Sequence, residues 1–506
     1  MVLESQFASG FATGPTPSIQ IGVEKVGQGN LGGLDDIFHS AMLIGEIANT
    51  ASGTLVANDV YEYPISTNEQ ARELFGDYSV GGWMFGRVNE MVNPKTGKIK
   101  GKVYGCGLGE VASGTAASQT LTTTGTATVG GTVVVGIDGK AFYVSVAKDD
   151  TGTDFTTELH RVYNAAGGKD LPLIPYSAAG VLTLTASAKC AHLNNVGLEI
   201  ISDPDCGLTF TWSGDTMGAV GGTPGVGVQT GSLDTVLASL QEVDDFVFYC
   251  APFVDSATLI ELQDHVNEKS DPQHMLASYV MCAKEASIAD QRAQADALRG
   301  NGDAKRLVQF GTRGSTAAEG GVVAACTALV ASEPHMARSV DGLVLPKLPV
   351  PVASDRWVQP DDTDVLLNKG ISPVGKIRRK ANSGVVRLVS MDVDNGVSDF
   401  AKIWTADRIR AELVEVLGIT LDRVSVSESE RRPAVAHIVT PALVKATIRS
   451  VLQRFEENGY ITDLEGTFEG FLSELGSDGA LRQIATIDVV NQLHSYMLKL
   501  NVKAAP

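Results

Sequence analysis

The sequence predicts a multidomain α/β and α+β protein: an α/β middle domain carrying an inserted β-rich module, a C-terminal α+β domain, and extended strand arms at both ends. Three observations predict it. The 506 residues exceed what one hydrophobic core organises. Residues 111–215 shift to Gly, Thr, Ala and Val, a strand-and-turn composition. Residues 232–350 alternate short apolar runs with helical periodicity, the order that builds a largely parallel sheet. The expected units are an arm over 1–30, an α/β domain over 31–110 plus 216–350, an insertion over 111–215, a C-terminal domain over 351–480, and an arm over 481–506.

Taken in chain order, Ile19, Ile21 and Val23 alternate along residues 18–26, predicting a strand with no hairpin partner beside it. A strand at 41–45 follows, then a helix over 66–75 that Ser66 or Thr67 caps and Gly76 stops. Trp83, Met84 and Phe85 belong to a core. Inside 111–215, β-branched runs are separated by Gly-Gly and Asp-Gly turns, with one helix over 155–166, and Gly-rich residues 214–231 are the exit linker. Helices are expected at 233–240, from Asp255 to 268, at 288–298 and at 322–330, and strands at 246–251, 277–283 and 306–310.

Pro346, Pro349, Pro351 and Pro360 mark a connector into the last domain. Its helices run over 406–417 behind Thr405 and over 441–457 behind Thr440. Val444, Ile448, Val451 and Phe455 share one face of the second helix, and Lys445 and Arg449 lie together on its flank. Residues 480–490 and 493–502 read as strands. Tyr496, Leu498, Leu500 and Val502 alternate in the last, which again has no local partner.

The net charge of −19 argues against a nucleic-acid binder, which needs a basic surface to displace phosphate counterions. Residues 361–506 hold 18 basic against 20 acidic side chains, so nearly all of that charge lies in the front portion. The six cysteines are scattered without a C-x-x-C pair and read as reduced, packed thiols. No signal peptide or apolar run of membrane-spanning length is evident, so neither export nor membrane insertion is expected.

Chemical motifs are weak throughout. Gly27, Gly29 and Gly32 match G-x-G-x-x-G, but the next strand follows too soon for a crossover helix, and a hinge is the plainer reading. Residues 221–227 are Gly-rich yet lack the Lys-Ser/Thr of a phosphate loop. No G-x-S-x-G turn occurs. Cys190 and His192 are the only close Cys/His pair, and a tetrahedral metal needs three or four converging donors. The acidic stretches 361–364 and 392–396 read as capped turns, not calcium loops. The basic residues between Lys376 and Lys380 read as a solvated or interface patch. No catalytic, cofactor-binding or metal residue is therefore expected, and no enzyme.

Several stretches, in order, resemble contractile tail sheath proteins of the Mu-like phage type. They are the strand at 41–45 with the helix at 66–76, the Gly/Thr-rich insertion, the α/β stretch 245–311, residues 440–461 and the final strand. The most specific is the segment holding Leu366, Leu367, Asn368, Gly370, Ile371 and Pro373, similar to the family's Leu-Leu, Asn-x-Gly-hydrophobic-x-Pro pattern. The resemblance implies a structural subunit of the virion tail, assembled in the host cytoplasm. Such subunits polymerise helically around a tail tube in stacked hexameric rings and contract to drive the tube through the host envelope. The C-terminal domain would be the inner sheath domain. The arms carrying Ile19, Ile21, Val23, Tyr496, Leu498, Leu500 and Val502 would add strands to neighbouring subunits. Lys445 and Arg449 would face the tube. Partners implied are other copies of the chain, the tube protein, and baseplate and tail terminator proteins, with no nucleic acid and no cofactor.

Two readings of other classes compete. An exported surface or adhesive β-protein is motivated by residues 111–215 and weakened by the missing export signal. An α/β enzyme is motivated by residues 232–350 and weakened by the motifs just weighed.

Overall fold

A computed structural model describes residues 40–490 except 48–52, 62, 91–101, 112, 166, 220, 228, 230, 241–247, 272–273, 316, 334, 336–338, 378–381, 392–398, 422–423, 428–437 and 477–480. Both predicted arm strands, with Ile19, Ile21, Val23, Tyr496, Leu498, Leu500 and Val502, lie outside the described residues, as do Gly27 to Gly32 and 392–396.

The organising element is a nine-stranded sheet. Its order is Val344–Pro349, Asn382–Val385, Ile371–Lys376, Leu307–Thr312, Tyr279–Glu285, Phe248–Cys250, Ala41–Glu46, Val103–Leu108, Asp59–Tyr61. The six strands from Ile371–Lys376 to Val103–Leu108 are mutually parallel, and antiparallel strands close both edges. A parallel sheet buried on both faces needs unbroken apolar strands. Ala41–Glu46 is buried at every position, with Ala41 and Leu43 in one core and Met42 and Ile44 in the other. Phe248, Tyr249 and Cys250 divide the same way.

The helices Gly231–Leu240, Ser256–Lys269 and Ile288–Gly300 alternate with the parallel strands, as the βαβα reading expected, and Asp361–Leu367, where only a capped turn was expected, leads into Ile371–Lys376. The second is capped by the Asp255 carboxylate, which accepts from Thr258 N at 2.8 Å. Asn68–Phe75 begins at Thr67, whose hydroxyl accepts from Gln70 N at 3.1 Å while Gln70 reaches back to Ser66 N at 3.0 Å. The two bonds close the first turn much as a capping box does, with the return bond reaching the residue before the cap. Glu319–Ala331 is buried along nearly its whole circumference, which suits a helix wedged between layers. One continuous core joins it to Trp83 and Met84 of the helix Val80–Glu90, to the insertion, and to the C-terminal helices.

The insertion holds two antiparallel sheets. One has the order Leu208–Trp212, Ser118–Gly125, Val181–Ala186, Leu173–Ala178, and the other Lys140–Val146, Gly131–Ile137, Leu198–Ser202. The helix Gly152–Ala165 fills the space between them with Phe155, Leu159 and Tyr163. The expected exit linker is in fact a strap along the module. Thr223 exchanges both backbone hydrogen bonds with Ser118, and a Cβ on Gly222 would stand 2.2 Å from the Ser118 carbonyl.

Three boundaries differ from expectation. Residues 371–385, assigned to the C-terminal unit, supply two strands of the central sheet, because Ile371–Lys376 completes the parallel run beside Leu307–Thr312. The helix expected over 406–417 spans Phe400–Leu421. Phe400, Ala401 and Trp404 extend its apolar face upstream, so Thr405 is a buried interior residue and not a cap. Residues 481–490, expected in the C-terminal arm, pair within their own subunit. Leu481–Ile484 forms a hairpin with Leu472–Leu475, and Asp488–Val489 pairs with Ile461–Thr462.

The segment that resembles the sheath family most specifically makes one sharp corner. Gly370 stands at φ 69° between the helix Asp361–Leu367 and the strand Ile371–Lys376, and a Cβ there would meet Met391 Cα at 2.6 Å. Both the left-handed backbone and the crowding demand glycine. Gly370→Val is expected to lower stability by roughly 2–4 kcal/mol, from strain plus displacement of the 390–391 backbone. Urea unfolding checks this; a change under about 1 kcal/mol would contradict the packing described.

Candidate functional site

Lys445 and Arg449 lie one turn apart on the exposed flank of Pro441–Glu457, as the helical spacing requires. The opposite face buries Val444, Ile448, Val451 and Phe455 against the helix Phe400–Leu421 and the residues around Leu464. Both cations have partners within the chain. Phe468 and Phe471 stack at 5.4 Å, and the Lys445 ammonium sits 4.8 Å from the Phe471 ring centre. The Arg449 guanidinium sits 5.3 Å from the Phe468 ring and pairs with Glu465. Partial exposure leaves this cation and aromatic cluster open to solvent, a ledge suited to a polar protein surface.

A shallow cleft at the ends of the central strands is lined by Val254, Asp255, Ser256, Lys284, Asp290 and Gln294. Its polar groups serve the fold. Asp255 caps a helix, Asp290 accepts from Ser287 Oγ at 2.7 Å, and Gln294 donates to Val254 O at 2.7 Å. The first turn of Asp361–Leu367 is likewise structural, with Asp362 accepting from Val358 N and pairing with Arg313.

Buried polar chemistry concentrates where the insertion meets the sheet. Asp138 and Gly139 both have positive φ and join Gly131–Ile137 to Lys140–Val146 in a two-residue hairpin turn. The turn is driven into the α/β domain, and Asp138 is 0% exposed. Its carboxylate accepts from Trp83 Nε1 at 2.7 Å, Arg87 Nη2 at 2.7 Å and Ala318 N at 3.1 Å. Asn195 donates to Glu319 Oε1 at 2.6 Å from the next loop of the insertion. Burial, aided by the charge of Glu319, pushes the neighbouring Glu285 carboxyl up to about 7.

At the same junction the structure unites residues that sequence spacing could not. Cys190 immediately precedes the short turn Ala191–Leu193, His192 lies within it, and Glu46 ends the strand Ala41–Glu46. One donor atom from each lies within 4.8 Å of the others, and all three side chains are buried. Burial by itself raises the Glu46 carboxyl, but His192 beside it outweighs that and holds it below its ordinary value. Burial likewise lowers the His192 imidazole, and Glu46 more than restores it. The Cys-x-His spacing was the only signal in the sequence; Glu46 carried none.

A second buried network ties the helix Phe400–Leu421 to the sheet. Asp407 accepts from Tyr279 Oη at 2.6 Å and Arg306 Nη2 at 2.9 Å, and Arg410 approaches at 3.1 Å.

No family model matches the chain. The chain is similar to the Mu-like prophage FluMu tail sheath protein of Haemophilus influenzae, 24% identical over 477 residues, spanning 90% of this chain and 91% of that protein. The resemblance noted in the sequence thus extends over nearly all of both chains. Among solved structures, the sheath tail protein of Desulfitobacterium hafniense aligns at 13% identity with a TM-score of 0.47, over 93% of this chain and 97% of that one. The helical sheath of the anti-feeding prophage in its contracted state aligns at 12% identity with a TM-score of 0.39, over 54% and 74%.

Proposed function

We propose that this chain is the structural subunit of a contractile tail sheath, which polymerises helically around a tail tube and shortens to drive the tube through a host envelope. The observation that carries the reading is the end-to-end similarity to a tail sheath protein, which leaves neither chain with a large unmatched domain. Polar side chains around the cleft are committed to caps and turns, and no helix of the described residues is long and apolar enough to cross a membrane.

In this reading the C-terminal part forms the inner domain, and Lys445 and Arg449 belong to the ledge that meets the tube. The terminal arms add strands to neighbouring subunits. The receiving edges are the two-stranded ribbons of the C-terminal part, such as Leu472–Leu475 with Leu481–Ile484. An isolated two-stranded ribbon is marginal in water, so a third strand from another copy has an energetic reason to bind. Arms keep neighbours joined while subunits rotate between an extended and a contracted lattice. A difference of about 1–3 kcal/mol per subunit, summed over stacked rings, is sufficient drive without a nucleotide. Rings of six copies, a tube protein, baseplate and terminator proteins complete the assembly.

Negative-stain microscopy of concentrated full-length protein tests this, with hollow striated tubes as the expected result. Compact monomers alone at high concentration would count against it. Deleting residues 1–26 or 492–506 should leave folded, soluble subunits that form no tubes. A truncated chain that still polymerises removes that arm from the connecting role.

A further inference from the structure

We propose that Glu46, Cys190 and His192 form a structural binding site for a divalent transition-metal ion, zinc foremost, that staples the inserted β module to the central sheet.

The geometry is that of converging donors. The side chains are 2%, 2% and 1% exposed, and one ligand atom of each lies within 4.8 Å of the other two. His192 Nε2 comes within 3.0 Å of Glu46 Oε2. Even so, among the described residues neither Glu46 oxygen nor His192 Nε2 has a partner in hydrogen-bond geometry. Buried carboxylate oxygens are rarely left so, because desolvation without a partner costs more than the fold recovers elsewhere. Here the unpaired atoms gather with the Cys190 sulfur, one donor from each residue within 4.8 Å of the other two.

The donor set suits zinc, which takes imidazole nitrogen, thiolate sulfur and carboxylate oxygen in tetrahedral sites. A thiolate, a carboxylate and a neutral imidazole sum to two negative charges, so a divalent ion leaves the buried site neutral. Binding forms bonds to sulfur, nitrogen and oxygen, and the Cys190 thiol releases its proton to solvent. A water or the second Glu46 oxygen takes the fourth position. The other buried thiols, such as Cys282 and Cys326, are not in any such group of three among the described residues.

The backbone supports the arrangement from both sides. Cys190 and His192 are held by the turn Ala191–Leu193, and Asn194 fastens that turn to the glycine strap through Gly225 N and O. Glu46 is fixed by a strand hydrogen-bonded along its length. A metal would therefore bind a nearly preformed site and cross-link residues far apart in the chain.

The test uses full-length protein freed of metal by a chelator and then offered zinc or cobalt(II). One equivalent per subunit should bind, and the cobalt form should show an intense thiolate-to-metal charge-transfer band with tetrahedral ligand-field bands. Cys190→Ser should abolish the charge-transfer band, and His192→Ala should weaken zinc binding by at least about 100-fold, more than the loss of an outer-shell partner. Cys282→Ser should behave as the parent. The wild-type spectrum needs no variant to fold. A folded wild-type protein without the band, or a Cys190→Ser protein that binds metal equally well, overturns the proposal and leaves a buried histidine and glutamate ion pair.

Discussion

Replacing Asp407 with alanine is expected to remove about 3–5 kcal/mol of folding stability, because it strands the buried Arg306 guanidinium without its counter-charge. The same change orphans the Tyr279 hydroxyl and loosens Arg410. Asp407→Asn keeps an acceptor for Tyr279 and should lose less. Urea unfolding of the protein measures both, and a loss under about 1 kcal/mol for the alanine variant would show that water reaches this pair. The acid limb carries a second signature. Burial raises the Asp407 carboxyl, but the hydrogen bonds and charge of Arg306 outweigh it and hold it below its ordinary value of 3.8. A depressed folded-state value means the contribution is complete above pH 3.8 and fades as pH falls through the lower value. The gap between wild type and Asp407→Ala should therefore close in strong acid.

Asp138→Ala should be comparably damaging, at about 3–5 kcal/mol, for a related but distinct reason. Arg87 loses its buried counter-charge, Trp83 and Ala318 lose an acceptor, and alanine must adopt the φ of 53° that the hairpin turn requires. Asp138→Asn retains a residue that tolerates this backbone and isolates the electrostatic part. Limited proteolysis is the discriminating readout alongside urea unfolding, since cleavage should begin within residues 111–215 if docking of the module fails first. Cleavage no faster than wild type would mean that the apolar core alone seats the insertion.

Much of the middle of the chain was legible because its strands are buried on both faces. Runs such as Tyr279 to Ala283 have no polar interruption, and Asp255, Thr67 and Thr440 cap their helices through the side-chain oxygens the sequence advertises. The Asp138-Gly139 turn was equally readable as a turn. Its burial was not, because a hairpin tip signals local geometry and carries no record of what it plugs into. Glu46 and Asp407 failed to announce themselves for the same reason: each is paired with residues more than a hundred positions away. Thr405 misled because a threonine before an apolar helix looks like a cap unless the upstream Phe400 and Trp404 are counted into the same face. The spacing of Lys445 and Arg449 shows that they share one side of their helix, but their contacts with Phe468 and Phe471 depend on residues around a later short helix.

The neck of the insertion has a consequence for how such proteins diversify. The chain enters at Thr115 and departs at Val226, and the two backbones are hydrogen-bonded to each other at 3.2 Å. Evolution can thus swap or lengthen the far end of the module without altering the path of the sheet. The near end is under a different regime. Any replacement that discards Asp138, His192 or Asn195 uncovers Arg87, Glu46 and Glu319, so variants that trim the module must recolour that scar on the parent domain at the same time.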